Sequence, residues 1–192
     1  EGANPDWFRP LEDVSQDILV GFVGERRGYR PEYLDFLKKH GIEVVFYGPG
    51  WEQGPLSESE MLRFFNRCQI QLGFGDMFFS RWLTNLKGRD FEVPAVGRAL
   101  YVTTYNADLA ECFEIGREIL CYRGIDELLE LLRRFLRDPE RCREMARRAR
   151  ERVIREHQWK HRFESLLRFL GMLEEAGAEE GKEREGVAGA SQ

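Results

Sequence analysis

The sequence predicts an α/β fold with a doubly wound parallel sheet and C-terminal helices, and three observations predict it. Short apolar runs alternate with amphipathic segments of helical period. The joints between them are brief and marked by Gly, Pro or Asn. After Gly124 the period turns purely helical. A chain of 192 residues with 42% apolar content is enough for one domain with a core of its own.

Residues 1–17 are interrupted by Pro5 and Pro10 and read as a lead-in strap whose Trp7 and Phe8 dock on the body. Ile18 to Val23 is a continuous apolar run stopped by Gly24, the pattern of a strand covered on both faces. Pro31 opens a helix over 31–39, Gly41 ends it, and 42–47 forms a second strand stopping at Gly48-Pro49-Gly50. Strand, helix and strand with short joints make a parallel βαβ unit. Ser57 or Ser59 caps a helix over 60–67, and 70–75 is the third strand. A loop over 76–90 leads to a short helix, a strand over 99–103, a helix over 107–113 with Asn106 as its N-cap, and a strand over 118–122.

Ile125, Leu128, Leu129, Leu132, Phe135 and Leu136 then form one helical stripe. Asp138-Pro139 opens a second helix, where Arg141, Arg143, Arg147, Arg148, Arg150 and Arg152 interleave with Glu140, Glu144 and Glu151. That interleaving favours a solvated face laced with ion pairs over an RNA or membrane contact. A third helix over 159–173 is expected to bury Trp159, Phe163, Leu166, Leu167 and Leu170. His157 and His161 are four apart, but no third ligand is near in sequence, so packing or hydrogen bonding is their expected role and no metal site is expected. Residues 173–192 read as a disordered acidic tail.

The net charge of −5 lies mostly in that tail, which carries −4; a near-neutral body argues against nucleic acid as the main partner. Cys68, Cys112, Cys121 and Cys142 are widely spaced and make no C-x-x-C, as expected of reduced thiols in a cytoplasmic protein. No apolar run is long enough to span a membrane and no leader is recognisable, while a first residue of Glu1 fits a fragment or a processed piece.

The stretch from Leu86 to Thr104 sets Lys87, Arg89 and Glu92 at the start of a short helix that runs into an apolar strand. Ligands of open α/β sheets bind at the carboxyl ends of strands, where helix N-termini offer backbone N–H groups to anions. Two loops therefore stand out besides this stretch. The first, from Gly24 through Arg26 and Arg27 to Arg30, follows the first strand; the second, Thr104-Tyr105-Asn106, follows a later one. The plainer alternative is a set of strand-to-helix corners with surface charge and, for Glu92, a carboxylate favoured by the helix dipole.

In their order, Val20-Gly21-Phe22-Val23-Gly24, Lys87 to Glu92, Phe113-Glu114-Ile115-Gly116-Arg117-Glu118 and Glu156 to Arg162 resemble the C-terminal half of GT-B glycosyltransferases, in particular the CgeB-like domain of glycosyl transferases group 1. The resemblance runs from about Ile18 to Leu170. It implies a Rossmann-like donor domain that holds a UDP- or GDP-linked sugar against a separate N-terminal acceptor domain, with no metal or other cofactor, in a hexosyltransferase inactive without its other half. Lys87, Arg89, Arg26, Arg27 and Arg30 would then face the diphosphate. Glu92, similar to the second glutamate of the family's Glu-x7-Glu motif, would take the ribose diol. Trp51 and Leu56 fall where the resemblance puts the nucleotide base, although Trp51 serves equally well as a packing residue. Thr84 stands where the motif's first glutamate would be, so the sugar contact passes to Asp76 or Asp90 or is lost, and the catalytic residues stay unassigned. A non-catalytic module of surface-layer or spore-coat assembly is the competing expectation, and a nucleotide-binding regulator a more distant one.

Overall fold

The computed structural model describes residues 1–77 and 80–173; the acidic tail expected from Glu174 onward lies outside them. In chain order the elements are β1 (Ile18–Val23), α1 (Arg30–Lys39), β2 (Val45–Tyr47), α2 (Glu58–Arg67), β3 (Cys68–Leu72), β4 (Asp76–Met77), β5 (Ser80–Thr84), α3 (Arg89–Val96), β6 (Leu100–Thr104), α4 (Ala107–Cys112), β7 (Leu120–Tyr122), α5 (Ile125–Phe135), α6 (Pro139–Glu156) and α7 (Trp159–Phe169). Among the described residues five strands form a parallel sheet in the order β2-β1-β3-β6-β7. The order reverses direction at β1 and β3, the paired central strands, so the crevice of a doubly wound sheet opens beyond their carboxyl ends.

Two apolar cores cover the two faces of that sheet, which is why the strands read as continuous apolar runs. One gathers Val20, Phe22, Ile70, Leu72, Leu100 and Val102 with α1 and α5. The other gathers Phe64, Phe65, Phe91, Tyr101, Leu109 and Ile119. Helix α6 joins them, with Cys142 and Met145 in the first and Ala149 and Val153 in the second. Local signals fix the helix starts. Ser57 and Glu60 form a reciprocal capping box, Asn106 accepts from the Asp108 N–H at 2.8 Å, and Asp138 accepts from the Arg141 N–H at 2.9 Å. Gly97 ends α3 in the left-handed region at φ 71°, where a Cβ would also run into the Arg150 side chain.

The lead-in strap is tied down along its length. Ala3 bridges Gln158, the Leu11 N–H bonds Asn66, and Arg98 donates to the Leu11 and Val14 carbonyls. Phe8 packs on the second core as expected, whereas Trp7 stays exposed.

Several expectations are corrected. The 76–90 loop contains the antiparallel β4–β5 pair, for which the β-formers Trp82, Leu83 and Thr84 were the available signal. Strand β2 is shorter than 42–47, because Ile42 and Val44 are buried without joining the ladder. Helix α7 does not bury its apolar stripe: Trp159, Phe163, Leu166 and Leu170 are 43–58% exposed and Leu167 is half-buried. A helical stripe marks an apolar face without naming what covers it, and no described segment lies on this one. Arg150 leaves the solvated face of α6 to donate to the Ala95 and Phe8 carbonyls.

Candidate functional site

A cavity of about 370 Å³ lies in the crevice, lined by Phe22, Val23 and Gly24 from the end of β1, Leu72 to Phe74 from the end of β3, Arg30 from α1, Lys87, Gly88, Arg89 and Glu92 at the start of α3, and Tyr101 from β6. Chain segments far apart in sequence meet here because parallel strands end on the same side of the sheet. Gly24 holds its loop through three contacts. Its N–H donates to the Tyr47 carbonyl at 2.9 Å, and its own carbonyl accepts from Trp51 Nε1 at 2.8 Å. Gly48, at φ 142°, presses against it where any Cβ would strike that carbonyl.

The cations around the cavity differ in what already neutralises them. Arg30 is buried, its Nε and Nη2 donating to Asp76 Oδ1 at 3.0 and 2.7 Å and its Nη1 to the Glu25 carbonyl at 3.1 Å. The rings of Phe22 and Phe74 sit 5.8 and 5.7 Å from its guanidinium. Arg27 shares the same carboxylate, its Nε 3.4 Å from Asp76 Oδ2, and donates to the Asp76 carbonyl at 3.1 Å. Arg89 pairs with Glu92 one turn along α3 and rests over the Phe65 ring. Lys87 alone of the four has no carboxylate within ion-pair distance among the described residues, and desolvation together with Arg27 pulls its pKa below the usual lysine value. The N–H groups of Gly88 and Arg89, at the N-terminus of α3, likewise have no acceptor among the described residues.

Beneath this turn lies Asp90. Its Oδ2 accepts from the Lys87 N–H at 2.6 Å and its Oδ1 from the Tyr101 hydroxyl at 2.8 Å. Burial pushes its pKa up to about 6 despite both bonds and the nearby Lys87 charge. The Tyr101 phenol, wholly buried beside it, is held well above its ordinary value by desolvation.

Of the residues singled out in the sequence, Gly24, Arg30, Lys87, Arg89 and Glu92 come together in the cavity wall, with Arg27 behind it. The others do not. Arg26 lies over the Trp51 ring, and Trp51 packs on Phe46 in a separate groove between α1 and β2. Leu56 packs against the second core. Tyr105 carries the Arg123 guanidinium on its ring, and the Asn106 Oδ1 caps α4 while its Nδ2 is buried without a partner among the described residues. Neither Asp76 nor Asp90 is among the residues lining the cavity; Thr84 itself pairs with Asp76 across β4–β5. The sequence reading missed Tyr101, whose strand position gave no hint of a polar role, and the service of Asp76 as a shared counter-ion for two arginines.

His157 is buried against Phe91 and Phe113, its Nε2 bonded to the Cys112 carbonyl at 2.7 Å, and His161 Nδ1 accepts from the Gln158 N–H. Packing and hydrogen bonding are thus what these histidines do. All four cysteines are free, and no described helix is long and apolar enough to cross a membrane.

Among solved structures the chain is similar to HepE of Anabaena in complex with UDP and glucose, with a TM-score of 0.73 and 10% identity over 90% of this chain and 56% of that one. It is similar to sucrose-phosphate synthase of Thermosynechococcus elongatus, with a TM-score of 0.63 and 15% identity over 88% and 51%. A third is the C-terminal domain of the group 1 glycosyl transferase LpcC of Francisella tularensis, with a TM-score of 0.53 and 13% identity, of which the chain covers all and which covers 82% of it. The chain spans about half the length of the first two. No curated protein matches it in sequence. At these identities the likeness is one of fold, a Rossmann-like half of the GT-B glycosyltransferase architecture. A family model described as glycosyl transferase-like matches residues 26–168, from the loop after β1 through the cavity wall to α7. By that match the chain belongs to the glycosyl transferase-like family.

Proposed function

We propose that this chain is the donor-binding half of a glycosyltransferase, taking a nucleoside diphosphate sugar in the β1–β3–α3 cavity and passing a hexose to an acceptor held by a separate domain. One observation carries the reading: the Lys87 ammonium and the Gly88 and Arg89 N–H groups, none with a partner among the described residues, converge on one wall of the cavity. Such a set suits a diphosphate, whose charge grows as the bond from its oxygen to the anomeric carbon breaks. Glu92 accepts the ribose hydroxyls in this reading, and its pairing with Arg89 is exchanged for them, leaving the guanidinium to a phosphate oxygen. Arg30 and Arg27 share the single carboxylate of Asp76, so the three together keep a net positive charge at the wall while both guanidiniums stay committed to that buried contact. Metal plays no part in the reading; among the described residues no group of three or more His, Cys, Asp or Glu side chains is placed to hold an ion. HepE was solved with UDP-glucose as well as with UDP, which makes UDP-linked sugars the first donors to try, with GDP-linked ones next.

The placement as a C-terminal half, the CgeB-like subfamily and a cytoplasmic location belong to the same proposal. The first is supported by full coverage of the LpcC C-terminal domain, the second by the Lys87 to Glu92 motif. Thermal shift of the full chain against UDP, GDP, ADP, CMP and TDP and their common sugars tests the reading. A ligand present at a hundred times its Kd stabilises by about 2.7 kcal/mol. A shift with one base that disappears in Glu92→Ala supports the donor site; silence from a folded protein across the panel overturns it.

A further inference from the structure

The buried Asp90 has no role in the reading above, yet it stands directly behind the turn on which that reading seats the diphosphate. We propose that Asp90 is a proton-linked member of this site: seating a nucleotide-sugar diphosphate on the Lys87–Arg89 turn draws a proton onto its carboxyl, so that affinity for the donor rises as pH falls. This rests on the proposed donor site.

The Asp90 carboxylate is an internal anion at the N-terminus of α3, bonded to the Lys87 N–H, while the next two residues, Gly88 and Arg89, line the cavity and their N–H groups have no acceptor among the described residues. A diphosphate bound there puts negative charge a few ångströms from a carboxylate already desolvated, and repulsion over that distance in a partly buried site exceeds what one charge-assisted hydrogen bond returns. Protonation relieves it. The proton comes from solvent onto Oδ1, Oδ2 keeps the Lys87 N–H, and the bond to Tyr101 reverses, Oδ1–H donating to the phenol oxygen while the phenol's own proton turns away. The phenol proton has an acceptor close at hand in the Thr103 hydroxyl, whose oxygen crowds the same point beside Gly73 as the phenol oxygen. No buried donor is stranded by the change.

The surroundings leave Asp90 as the group poised for this. On its own helix and approach lie Lys87, Arg89 and Glu92; β6 brings Tyr101 and β7 brings Cys121, whose thiol is pushed up to about 12 by burial. Glu1 acts on Asp90 from the lead-in strap, and Arg27 and Asp76 act on Lys87 from across the cavity. Of the helices packed on α3, α2 sets Phe65 under Arg89 and α6 sets Arg150 on the Ala95 carbonyl at the opposite end, while His157, at the end of α6, packs against Phe91 next to Asp90 in sequence. With its own pKa raised to about 6, Asp90 needs only a modest further push to take up a proton near neutrality.

Calorimetry with UDP-glucose and GDP-mannose on the full chain, in buffers of different ionisation enthalpy, tests this. A diphosphate diesterified by nucleoside and sugar has no ionisation of its own near pH 6, so proton uptake reports on the protein. The expected result is fractional proton uptake at pH 7 and affinity rising several-fold from pH 8 to pH 6, bounded at about tenfold per pH unit for one proton. Asp90→Asn should bind more tightly at pH 8 with no uptake. Tyr101→Phe, which keeps the carboxylate but removes a donor to it, should move the pH profile upward. Binding without uptake, or a pH profile that Asp90→Asn leaves unchanged, overturns the inference while the donor site stands. Failure of the wild-type chain to bind either donor at any pH overturns both.

Discussion

Arginines crowd two regions of this molecule, and their surroundings make them different things. On α6, Arg141, Arg147, Arg148 and Arg152 pair with Glu144, Glu151 and Glu156 three or four residues away, every side chain at least a quarter exposed. At the cavity, Arg27 and Arg30 converge on the fully buried carboxylate of Asp76 from another part of the chain. Pairs of the first kind are local, screened by water and replaceable. Those of the second kind hold the loop after β1 against the loop after β3, and removing one partner strands a charge. The lesson is that charge count says little, and that the distance in sequence between partners and their burial decide which pair shapes a site.

The largest effect should come from breaking the buried cluster. Asp76→Ala leaves Arg30 unpaired under two phenylalanine rings and should cost about 3–5 kcal/mol in urea denaturation. Arg30→Ala should cost a similar amount, and the double variant less than the sum of the two, because each removes the partner the other lacks. A loss under about 1 kcal/mol for Asp76→Ala would erase the distinction between the two regions. Lys87→Ala sharpens it from the other side. The ammonium holds no partner among the described residues, so stability should change by less than about 1 kcal/mol while donor affinity falls about tenfold or more, which is about 1.4 kcal/mol of binding.

The contrast also explains what the sequence could reveal. The α6 pairs were legible, since their partners lie one turn apart and helical period brings them together by rule. The five parallel strands and the order of the helices were legible for the same reason, as local period and short joints. Lys87, Arg89 and Glu92 were legible because they share one turn. The Arg30–Asp76 contact spans forty-six residues, and nothing in the spacing announces it. The Asp90–Tyr101 bond crosses from helix to strand inside an apolar run, where Tyr101 reads as one more core aromatic. Trp51 and Leu56 failed to join the site because placing them required the tertiary path of the loop after β2, which sequence period does not encode. The face of α7 was seen as apolar but not as uncovered, for what covers a face is a property of its partner.

A smaller effect concerns the one histidine at the end of α6. His157 is buried between two aromatic rings, and desolvation holds its pKa below the ordinary histidine value. A depressed folded-state pKa means the fold prefers the neutral ring. The associated stability is present above about pH 6.5, the unfolded value, and is lost as pH falls through the lower folded one. Asp90 runs the opposite way, its raised pKa favouring the fold below about pH 3.8 and losing that contribution as pH rises through about 6. Urea midpoints followed from pH 8 to pH 5 should therefore fall less steeply in His157→Gln than in the wild type. A steeper fall would place the acid sensitivity elsewhere.

The smallest effect belongs to the exposed pair at Arg147 and Glu151, whose side chains are 62% and 55% exposed. Both project from the middle of α6, their charges attract mostly through water, and holding two long side chains together costs rotamer freedom that offsets much of the attraction. Arg147→Ala should shift stability by no more than about 0.5 kcal/mol, and alanine's better helix propensity works against even that loss. What remains should shrink further between 0.05 and 0.5 M salt, as the screening length falls below the reach of exposed charges. The Asp76 cluster, shielded from ions by burial, should keep its full effect over the same range. If the two variants instead respond alike to salt, then the cluster at the cavity is open to solvent, and its arginines are as free to meet a ligand as those on the helix.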